Sequence, residues 1–83
     1  MELPGQAVTL TVEQIAELNR KLADFRHDIN NNLALIIAGV EVLKSKPHLA
    51  ERMLATVSEQ PPKMIASIAK FSADLDQALG IKR

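Results

Sequence analysis

The chain has 83 residues, with ten basic and ten acidic side chains, two histidines and no cysteine. That length sets one small domain, and a chain this short buries only about 60% of its unfolded surface. The missing cysteine excludes disulfides and thiolate metal sites. Zero net charge and two phenylalanines as the sole aromatics exclude the basic footprint and stacking platform of a nucleic-acid binder.

Aliphatic residues and alanine supply nearly all the hydrophobic content, which suits helix packing, and self-association is a natural way to complete so small a core. The longest apolar run, Leu33 to Val40, is too short to span a bilayer and contains Gly39. The stretch Met1-Glu2-Leu3-Pro4-Gly5 lacks the basic and apolar regions of a signal peptide. The expectation is a cytoplasmic protein with no membrane segment.

In chain order, residues 1–9 read as a flexible N-terminal arm, because Pro4-Gly5 breaks regular structure and no periodicity precedes Leu10. Thr9 or Thr11 offers an N-cap, and Glu13 complements the helix dipole in the first turn. Apolar positions then run Ile15, Leu18, Leu22, Phe25, Ile29, Leu33, Ile36, Val40 and Leu43, in steps of 3, 4, 3, 4, 4, 3, 4 and 3. That is a heptad seam with one four-residue insertion, a stutter falling around His27. His27 projects roughly 160° from the centre of this stripe, facing outward.

Lys44 and Lys46 suit the end of this helix, and Pro47 suits the first turn of the next. A connection this short forces an antiparallel helical hairpin. Leu49, Met53, Val57, Met64, Ile68, Phe71, Leu75 and Leu79 mark the second arm, and Gly80 stops it. Pro61-Pro62 interrupts that arm. A kinked single helix is favoured over two shorter ones, because the apolar phase continues if position 61 counts in the seam. Pairing the arms about the turn sets His27 opposite Met64. The predicted architecture is all-α: a hairpin over residues 10–80, a tail at 81–83, and two copies forming a four-helix bundle.

Within this frame His27-Asp28-Ile29-Asn30-Asn31-Asn32-Leu33-Ala34-Leu35-Ile36 resembles the H-box of the dimerisation and histidine-phosphotransfer domain of two-component sensor kinases. The family pattern is a histidine, an acidic residue, two variable positions and an asparagine or threonine, followed by an apolar run. Asn31 takes the last polar position. The resemblance covers the hairpin from about Glu13 to Leu79, and the H-box is its diagnostic part.

The resemblance implies a homodimer that accepts a phosphoryl group on His27 and relays it to the aspartate of a response-regulator receiver domain. Asp28 would accept the Nδ1–H of His27 as orienting group or general base. Asn31, one turn beyond on the same face, would place the water that dephosphorylates the receiver. No cofactor is expected on this chain; Mg²⁺ and the acceptor aspartate would come from the partner.

The chain departs from the family pattern in two ways. It carries no ATP-binding domain and no glycine-rich phosphate cradle, so a separate kinase catalytic domain or a longer chain would supply the phosphate. The proline often found after the H-box asparagine is also missing. An enzymatic role, if there is one, is therefore that of a histidine-kinase or phosphotransferase-type domain without its own donor.

Ala34 and Ala38 lie outward below His27, with Leu35 nearby on the flank, as a shallow apolar strip suited to docking a receiver helix. Asn30 and Asn32 read as hydrogen-bonders at the bundle edge, and His48 as a solvated residue of the turn. No carboxylate spacing suggests a metal site. The alternative reading is a non-catalytic dimerisation or adaptor bundle that binds a kinase or receiver without taking phosphate. A monomeric phosphotransfer domain is less well matched, since Asn30-Asn31 stand where that type carries Lys-Gly.

Overall fold

A computed structural model describes residues 3–81; the first two residues of the predicted arm and the last two of the predicted tail lie outside the described residues. Two long helices, α1 (Val12–Ser45) and α2 (Ala50–Leu79), are joined by Lys46 and a single 3₁₀ turn, Pro47–Leu49. Residues 3–10 are irregular, with a bend at Gly5-Gln6, as the Pro-Gly pair requires.

Thr11, not Thr9, caps α1. Its side chain accepts from the Gln14 N–H, and the Gln14 side chain accepts from the Thr11 N–H, a reciprocal capping box. Glu13 sits in the first turn and Lys44 in the last, matching the helix dipole at both ends. Gly80 closes α2 in the left-handed region at φ 68°, and the Gly80 and Ile81 N–H groups both donate to the Asp76 carbonyl. Pro47 opens the 3₁₀ turn rather than α2 itself.

Pro61 and Pro62 lie inside α2, which runs unbroken from Ala50 to Leu79, so the two-helix alternative is excluded. Neither proline has an N–H, and the carbonyls of Val57 and Ser58 lose their helical donors there. Packing against α1 holds the helix together across that gap.

The helices pack antiparallel, with Phe25 stacked on Phe71 at a ring-centroid distance of 5.2 Å and Lys21 paired to Asp74 at 3.6 Å. Gly39 meets Val57 further toward the turn. This register sets His27 level with Ala69, about five residues beyond the Met64 expected from symmetric pairing. The prolines accordingly stand about two turns from the histidine.

The contact line on α1 also differs from the predicted seam. Buried or half-buried positions run Leu18, Leu22, Phe25, Ile29, Asn32, Ile36, Gly39 and Leu43. These steps alternate four and three throughout, an uninterrupted heptad without the stutter. On α2 the same alternation runs Met53, Val57, Gln60, Met64, Ser67, Phe71, Asp74 and Ala78. Leu33 and Val40, expected in the seam, are exposed, while Asn32 and Gly39 are buried. Apolar identity pointed one residue away from the true contact. Gly39 is there because a Cβ at this position would stand 2.5 Å from the Val57 Cγ2.

No hydrophobic residue is fully buried among the described residues. The molecule measures 58 × 25 × 12 Å with a radius of gyration of 18.0 Å; a compact chain of this length has about 12 Å. Its least dimension is one helix diameter. The hairpin is a single layer.

Candidate functional site

His27 sits in the middle of α1, where fifteen or more helical residues on each side hold its backbone rigid. Its position lies opposite the heptad contact line, and the side chain is exposed, as the helical projection predicts. Asn31 follows four residues later on the same face. Its Nδ2 lies 3.3 Å from the His27 Nε2. An amide nitrogen only donates, so the pair is a hydrogen bond in the tautomer that leaves Nε2 unprotonated and carries the ring proton on Nδ1.

Asp28 stands differently from the expectation. Among the described residues it makes no hydrogen bond or ion pair, and in particular none to His27. Its position turns toward α2, where it lines a small cavity of about 40 Å³ with Lys21, Asp24, Ser67, Lys70 and Asp74. The helix explains this: consecutive residues are about 100° apart, so a side chain at i+1 does not face the ring at i.

Of the three asparagines, Asn31 reaches the histidine, Asn30 is exposed and Asn32 is 9% exposed in the contact line. Neither Asn30 nor Asn32 makes a side-chain hydrogen bond among the described residues, so the bundle-edge role does not arise within one chain. Asn32 is buried because it occupies a heptad contact position. Ala34, Leu35 and Ala38 are all exposed. Leu35 lies on the flank shared with Lys21 and Asp28, and the two alanines continue the outward face from His27.

His48 is exposed in the 3₁₀ turn, at the end of the hairpin, remote from His27. Among the described residues no group of histidines and carboxylates is placed to hold a metal ion, and no helix is long and apolar enough to cross a membrane. The charged surface near the N-terminus of α1 centres on Arg20, which binds Glu17 through two nitrogens and reaches Asp24 at 3.0 Å. The Arg20 hydrogen bond lowers the Glu17 carboxyl pKa and in turn raises that of the guanidinium. All three side chains are more than half exposed, a solvated face.

Sequence reasoning missed Gln60, 2% exposed in the contact line with its Oε1 buried and unpartnered. It also missed the groove of about 350 Å³ lined by Leu10, Ile15, Leu18, Leu22, Phe71 and Leu75. Gln60 follows once the heptad is taken through residue 60 and not 61. Compared with protein-family models, with characterised proteins and with solved structures, the chain matches none.

Proposed function

We propose that the chain is a dimerisation and histidine-phosphotransfer module of a two-component signalling system. In this reading His27 accepts a phosphoryl group from a partner and passes it to a receiver aspartate. The observation that carries it is the exposed His27 Nε2 with the Asn31 amide against it, midway along a rigid helix. A neutral imidazole is a nucleophile near pH 7, and an unprotonated Nε2 on an exposed ring is the atom that can attack phosphorus. Phosphoryl transfer asks mainly for positioning and charge stabilisation; the partner brings Mg²⁺ and the aspartate, and Ala34, Leu35 and Ala38 offer its helix a strip beside the ring.

Dimerisation is supported by the single-layer hairpin. A helix layer is stable when its apolar face meets a second layer. Ile37 at 63%, Ile65 at 67% and Ile68 at 50% are left exposed, on the same flank as Leu33, Val40 and Leu54. In an antiparallel pair this flank is shared by both helices. A second copy related by a two-fold axis presents the same stripe and closes a four-helix bundle.

The test is incubation of the full chain with a phosphorylated receiver domain. Acid-labile, base-stable phosphate on the chain, absent from His27→Ala, is the expected result. Label that persists in His27→Ala would overturn the assignment. A second reading, the adaptor bundle that binds a receiver without taking phosphate, is favoured by one observation: Asp28 makes no hydrogen bond to the ring. It predicts receiver binding unchanged by His27→Ala and no label on either form.

A further inference from the structure

We infer that Asn31 is the positioning residue of His27, selecting the ring tautomer in the resting protein. The inference rests on the phosphotransfer reading for its purpose. It goes beyond the water-placing role that resemblance implies for this position.

Three observations carry it. The Asn31 Nδ2 lies 3.3 Å from Nε2, and since the amide nitrogen can only donate, a hydrogen bond there favours the ring whose Nε2 lone pair is free of a proton. Asp28, the group expected to orient the ring through Nδ1, makes no hydrogen bond to it and lines the cavity toward Lys70 and Asp74. Both members of the His27–Asn31 pair are anchored four residues apart on a continuous helix, so their relative position is set by the helix itself.

The consequence is a site held ready. With the proton on Nδ1, the Nε2 lone pair can form the N–P bond while the P–O bond of a partner acyl phosphate breaks. The bonding electrons leave with the carboxylate, and the Nδ1 proton is released to water. The Asn31 amide occupies that lone pair in the resting state, so it must rotate away before attack. Rotation of an exposed side chain is fast, which makes the contact a selector of tautomer rather than a barrier.

The experiment reads the tautomer of His27 directly, by long-range nitrogen–proton correlation NMR on the uniformly labelled full chain at a pH where the ring is neutral. In the unaltered protein Nδ1 is expected to carry the proton. Asn31→Ala should shift the population toward Nε2–H, and Asn31→Asp should reverse it, because a carboxylate only accepts and recruits a proton onto Nε2. Asn30→Ala, which removes a neighbouring amide without a ring contact, should leave the tautomer as it was. None of these exchanges threatens the helix, since asparagine is itself a poor helix former. An Nε2–H ring in the unaltered chain, or a tautomer that follows Asp28→Asn and ignores Asn31→Ala and Asn31→Asp, would overturn the inference. The result stands apart from phosphotransfer: an unlabelled chain with the expected tautomers sinks the proposed function alone, and a labelled chain with unchanged tautomers sinks this inference alone.

Discussion

Gln60 shows what a single polar side chain costs when the backbone carries it into a seam. Its Nε2 donates to the Thr56 carbonyl at 2.8 Å, but its Oε1 has no partner in the described chain. A buried acceptor left unpaired costs about 1–3 kcal/mol. Thr56 loses little without the side-chain bond, because the Gln60 backbone N–H is its regular helical donor. Gln60→Met keeps length and shape while removing both polar atoms. It should stabilise the fold by about 1 kcal/mol, raising the melting temperature by roughly 4–8 °C for a domain of this size. Circular-dichroism melts at one fixed protein concentration check it. An unchanged or lower midpoint would mean that Oε1 finds a donor in the assembled protein. Gln60 escaped notice in the sequence because a glutamine before two prolines reads as the edge of a break. His27 and Asn31 were legible, since four-residue spacing on a helix is a geometric statement that needs no knowledge of packing.

At the scale of the helices, α1 and α2 approach closely at Gly39. An alanine there gains up to about 1 kcal/mol of helix propensity, but its Cβ would lie 2.5 Å from the Val57 Cγ2. Valine has little rotamer freedom on a helix to move aside, and overpacking costs typically about 1–3 kcal/mol. Gly39→Leu, with three further carbons, should therefore lower the melting temperature clearly, and Gly39→Ala should fall between it and the unaltered chain. A Gly39→Leu protein that melts as high as the original would show that the helices separate there without penalty. The hairpin itself, its caps and its short turn were legible from periodicity, Pro47 and Gly80. The seam was misplaced by one residue at Leu33 and Val40, and the four-residue stutter was a product of that misplacement. Two apolar stripes lie side by side on α1, one facing α2 and one facing out, and hydrophobicity alone cannot tell them apart. Asn32 and Gly39, the residues that do face α2, carry no apolar signal.

The whole molecule turns on that second stripe. A layer 12 Å thick with no fully buried hydrophobic residue among those described sets little apolar burial against the chain entropy of ordering two helices this long. In proteins, tertiary burial of an amphipathic face supplies most of a helix's stability. Ile37, Leu33 and Val40 on α1 continue into Leu54, Ile65 and Ile68 on α2, and the Leu10–Leu75 groove extends the face to the open end of the hairpin. If a second copy covers this face, folding and association are one equilibrium, and the melting temperature must rise with protein concentration. Charges placed in the stripe should uncouple the two. Ile37→Glu with Ile65→Glu leaves the heptad line between α1 and α2 untouched, so a hairpin stable by itself would keep its helicity. The expected outcome is a dimer by sedimentation for the unaltered chain, and for the double variant a monomer with much of its helical signal lost. His27 lies on the face away from the contact line and does not enter the stripe, so His27→Ala should remain dimeric. A monomeric, fully helical unaltered chain would require the exposed stripe to serve another partner and would remove the four-helix bundle from the proposal.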